Sequence, residues 1–207
     1  ITATNISNLH DNNSNCTLNI TSGVTISGSG SELATAVGQI DNIGSVNVTA
    51  NVTGTDYTTT HLKAINDALD SSDTITLESP NVAINGSPSD LADAFASSIS
   101  SMTTHTGTVE FTGSAPNLTQ LTTVRNGSTG KFTFSGGVAA LSGTRAQIAA
   151  AIIRTGGDGN DAAEYNEAIT ITDSDDTLNA SDLKNTQQRH RVNTELETTN
   201  KQHSCCV

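Results

Sequence analysis

Tryptophan is absent from this 207-residue chain, methionine occurs once, and aromatics make up 3% of residues. A sugar-stacking platform is therefore poorly supplied, because Tyr57 and Tyr165 are the two tyrosines. Cations are also scarce, nine against 21 acids, for a net charge of −12. Such a surface repels phosphates, which excludes nucleic acid as an expected partner. Long apolar runs are missing too: none approaches the ~20 residues needed to cross a bilayer, so membrane insertion is not expected. No secretion signal is visible and the first residue is Ile1, so a processed chain or a fragment is expected.

Cysteine is limited to Cys16, Cys205 and Cys206. An odd number leaves at least one thiol free, ligated or bonded to another molecule. A bridge from Cys16 to the tail of a neighbouring subunit would lock a polymer. The alternative is one buried thiol and two unpaired tail thiols.

Ser, Thr, Asn and Gly fill the space left by a hydrophobic fraction of 34%. Regular alternation argues against disorder. The strongest signal is a recurring stretch, Ile26-Ser27-Gly28-Ser29-Gly30-Ser31-Glu32-Leu33, then Ile84-Asn85-Gly86-Ser87-Pro88-Ser89-Asp90-Leu91, then Leu141-Ser142-Gly143-Thr144-Arg145-Ala146-Gln147-Ile148. Leu33, Leu91 and Ile148 stand about 58 and 57 positions apart, slightly above the common solenoid period. Each copy reads as an apolar residue, a glycine turn and a short helix. Ser87 and Ser89 are candidate N-caps, Pro88 suits the first helical turn, and Leu91, Ala94 and Phe95 share one helical face.

Upstream of each turn lies an alternating run, Thr17-Leu18-Asn19-Ile20, Thr74-Ile75-Thr76-Leu77 and Lys131-Phe132-Thr133-Phe134. Downstream lie Val46-Asn47-Val48-Thr49, Val109-Glu110-Phe111-Thr112 and Ile169-Thr170-Ile171-Thr172. Period two marks half-buried strands. Ile6 with Leu9, Leu62 with Ile65 and Leu121 with Val124 mark a further helix or turn before each first strand. The expected fold is an α/β repeat, β-rich, of about three stacked strand-strand-helix-strand units, solenoid-like. The units run 1–56, 57–115 and 116–176, with 177–207 a partial fourth unit and C-terminal tail. The expected core comprises Leu33, Ile75, Leu77, Leu91, Val109, Phe111, Phe132, Phe134, Ile148, Ile169 and Ile171. The tail is a flexible terminus or, in a sharper reading, an arm that adds a strand to a neighbour.

Chemistry-bearing patterns are few. Gly156-Gly157-Asp158-Gly159-Asn160-Asp161 matches the opening of a calcium-binding nonapeptide, with Asp158 and Asp161 as oxygen ligands. A single copy lacks the stacked neighbour that completes such a site, so an acidic loop is the competing reading. Gly127-Ser128-Thr129-Gly130-Lys131 lacks the first glycine of a phosphate loop and precedes a strand, not a helix. The five histidines are scattered without zinc spacing. No nucleophile elbow or acid–base constellation emerges, and the chain is not expected to be an enzyme. Sequons include Asn5, Asn47, Asn51, Asn117 and Asn126, candidate glycan carriers where the side chain faces solvent. Thr74-Ile75-Thr76 also hints at an ice-binding face, though ordinary β-propensity accounts for it.

The turn-and-helix copies at 84–91 and 141–148, with Asn166-Glu167-Ala168-Ile169-Thr170-Ile171-Thr172-Asp173, resemble the units of long tandem-repeat surface proteins of marine bacteria, cyanobacteria among them. The resemblance spans about residues 1–184 and departs from the pattern at Asn185. It implies an extracellular, non-enzymatic, structural or adhesive role and carries no catalytic residues. The function expected is a self-assembling building block of a surface layer, fibre or filament, with identical subunits as partners. The alternative is an adhesin or carbohydrate-binding module, with glycans as partners and calcium as a possible cofactor.

Overall fold

The computed structural model describes residues 1–13, 15, 17–96, 99–152 and 167–172. Within them lie six helices, α1 (Ala3–Asn12), α2 (Gly30–Val37), α3 (Thr59–Ala68), α4 (Pro88–Ala94), α5 (Leu118–Gly127) and α6 (Arg145–Ile152). Each begins where a short polar side chain can satisfy the free amides of the first turn. Thr2, Ser29, Thr58, Ser87 and Asn117 accept from the amides of Asn5, Glu32, His61, Asp90 and Gln120. Ser29 and Asn117 belong to complete capping boxes, and Thr144 with Gln147 forms another. The Ser29 amide, then its hydroxyl, donate to Glu32 and hold that carboxyl below its usual range. Of the two serines proposed for α4, Ser87 is the cap, and Pro88 opens the helix.

Nine strands accompany them: β1 (Val24–Gly28), β2 (Val48–Val52), β3 (Thr74–Leu77), β4 (Ile84–Gly86), β5 (Ser101–Met102), β6 (Val109–Phe111), β7 (Phe132–Phe134), β8 (Leu141–Gly143) and β9 (Ile169–Ile171). They form parallel sheets in the orders β1-β2-β3-β5, β4-β6-β7 and β8-β9. Among the described residues there is no closed barrel. Partners stand roughly 25 residues apart, room for one helical crossover. Thus α2 connects β1 to β2, α3 connects β2 to β3 and α5 connects β6 to β7, whereas α4 is followed by β5 of the first sheet before the chain reaches β6. Each helix packs on the next in chain order, from α1 on α2 through to α5 on α6.

The core lies between helices and strands. Ile26, Ala50 and Ile75 occupy one register rank of the first sheet, and Val109 and Phe132 one rank of the second; all are buried. Helical Leu33, Leu62, Leu91, Leu121 and Ile148 close against them. Of the expected core, Phe134 and Ile169 are only partly buried, and Ile171 likewise, at the edge of a two-stranded sheet.

Two expectations need correction. The fold is mixed α/β rather than β-rich, because strands of two to five residues alternate with helices of seven to ten. The run Thr17-Leu18-Asn19-Ile20 is not a strand. Its backbone is held by the Asp41 amide, which donates to the Leu18 carbonyl, and by two side chains. Asp41 Oδ2 accepts the Leu18 N–H at 2.6 Å, while Asn42 accepts from and donates to Ile20 at 2.9 and 2.8 Å.

Candidate functional site

Parallel register turns the outward positions of the first sheet into two polar ranks. Thr25, Thr49, Thr74 and Ser101 form one; Ser27, Asn51 and Thr76 form the other. The residues between them point into the core, so the alternation inherent in a pleated strand separates the two chemistries. Asn51 ties its rank together: Nδ2 donates to Ser27 Oγ at 3.4 Å, and Oδ1 accepts from Thr76 Oγ1 at 2.7 Å. Thr74 and Ser101 hydroxyls lie 3.4 Å apart. The second sheet continues this chemistry with Asn85, Glu110 and Thr133 in one rank, and the third with Ser142 and Thr170. Glu110 is the one carboxylate among these outward positions. A face of hydroxyls and amides can donate and accept hydrogen bonds over a regular grid, strands being about 4.8 Å apart.

Buried polar groups brace the layers beneath. Asp73 accepts the Val48 amide at 2.6 Å and the Asp70 amide at 2.8 Å, bridging consecutive crossovers. Asn66, at the end of α3, donates to the Asp93 and Ala96 carbonyls that close α4, at 2.7 and 3.3 Å. Arg125 lies over the Phe132 ring, 3.6 Å from its centroid, and donates to the Gly130 carbonyl at 2.9 Å. Tyr57 donates to the Ser79 carbonyl at 2.6 Å, and burial pushes its phenol up to about 12.

His105 is, like Asp73, fully enclosed. Its Nε2 donates to the Val82 carbonyl at 2.8 Å, which leaves Nδ1 to accept from Ser128 Oγ at 3.1 Å. The Ser128 hydroxyl also accepts the Gly130 amide at 3.0 Å. Tyr57 and Phe95 meet the imidazole edge-on. Burial pushes the His105 pKa down, against the opposing effect of the Val82 carbonyl. A serine beside a histidine resembles the start of a hydrolytic dyad. Here both residues are 0% exposed and the outer nitrogen meets a carbonyl, so the pair is a brace between three successive layers.

The glycan candidates are distributed over different surroundings. Asn5, Asn47, Asn117 and Asn126 are exposed, whereas Asn51 is half-buried within its ladder. Asn117 caps α5, and the Ser128 of the Asn126 sequon is buried. Asp158, Asp161, Cys16, Cys205 and Cys206 lie outside the described residues. Among the described residues no three His, Cys, Asp or Glu side chains cluster as a metal site. No described helix is long and apolar enough to cross a membrane. An open groove of about 440 Å³ between α5 and α6, lined by Leu118, Thr122, Ala146, Gln147 and Ala150 among others, offers methyls, hydroxyls and an amide.

Neither His105 nor the ladders stand out by sequence spacing. His105 carries no motif, and the Thr-x-Thr hint at Thr74 becomes a surface only once register is known. No family model, curated protein or solved structure matches this chain.

Proposed function

We propose that this chain is an extracellular structural protein, a self-assembling building block of a surface layer, fibre or filament. Its layers form a solenoid-like array of about three strand-strand-helix-strand units, and identical copies are its partners. The observation that carries the reading is the neighbour-to-neighbour order of contacts: each helix packs on the next, and each strand pairs with one a single crossover away. In such an order stability is a sum over adjacent layers, so a further copy can add to it as one more layer. Head-to-tail contacts whose rotation does not close propagate into a filament. Chemistry is not part of this role, and the most suggestive pair, Ser128 with His105, is sealed from solvent.

The test is negative-stain electron microscopy of the purified chain, with and without chelator and reductant. Filaments or sheets of regular repeat are expected. Their loss with chelator would assign calcium to Asp158 and Asp161, and their loss with reductant would assign the lock to Cys16, Cys205 and Cys206. Dispersed particles under every condition would overturn the reading.

One observation favours the alternative, an adhesin or carbohydrate-binding module. The ladder of Thr25, Thr49, Thr74 and Ser101 with Ser27, Asn51 and Thr76 is an uncharged hydrogen-bonding face on a strongly acidic chain. A glycan-array signal lost on substitution of Thr49 and Thr74 by lysine would support that reading. No signal on the array would remove it.

A further inference from the structure

We draw no further inference here: the strongest candidate, the ladder of Thr25, Thr49, Thr74 and Ser101 on the outward face of the first sheet, belongs to the site already described, and nothing in the structure shows what covers it.

Discussion

At the scale of single residues the chain holds its layers with polar side chains that reach into the next crossover. His105 is the sharpest case because burial favours its neutral form, with a carbonyl partner on Nε2 and a hydroxyl partner on Nδ1. Its folded-state pKa lies below the usual 6.5, so the unfolded chain binds the proton more readily. The stability contributed by neutral His105 is therefore full above about pH 6.5 and falls as the pH drops below it. Arg125 braces the same turn, since its guanidinium donates to the backbone carbonyls of Ser128 and Gly130. Urea unfolding is expected to show a lower midpoint at about pH 5.5 than at about pH 7.5, and His105→Asn to flatten that slope. Asn66 is a second brace. Asn66→Ala leaves the Asp93 and Ala96 carbonyls without its amide and is expected to cost about 1–3 kcal/mol by the same titration. Neither residue is conspicuous in the sequence. A lone histidine or asparagine reveals its role only when the chain brings distant carbonyls to it.

At the scale of elements, much was legible. Glycine turns followed by Ser or Thr and then Glu, Asp or Gln mark the starts of α2, α4 and α6, because free amides need those acceptors wherever the chain folds. Alternation located β3, β6, β7 and β9, since a half-buried strand has no other way to separate its faces. Pairing was not legible: a parallel partner lies a helix away and leaves no local mark. The run around Leu18 failed for a related reason, as Asp41 and Asn42 side chains took the bonds a neighbouring strand would have made. Close approach between turns was likewise hidden. A Cβ on Gly130 would collide with the Gly107 carbonyl, while Gly54, at φ +74°, has open space around it. Gly54→Ala is expected to cost about 1–2 kcal/mol from backbone strain alone. Gly130→Ala should lower the thermal midpoint further, because two backbones must separate.

At the scale of the whole molecule, contacts between chain neighbours build one core, and among the described residues the parallel partners stand about one helix apart in the chain. The recurring turn was readable because three copies of it survive in the sequence, at the starts of α2, α4 and α6. The exposure of Leu9 was not, since in sequence it looks like Ile65 and Val124, which are buried. The central claim is that copies join end to end. Small-angle X-ray scattering over a concentration series tests it most directly, by separating the length of a particle from its cross-section. Growth in overall radius at constant cross-sectional radius is the predicted result. A radius that does not change with concentration, or one that grows together with the cross-section, would contradict it.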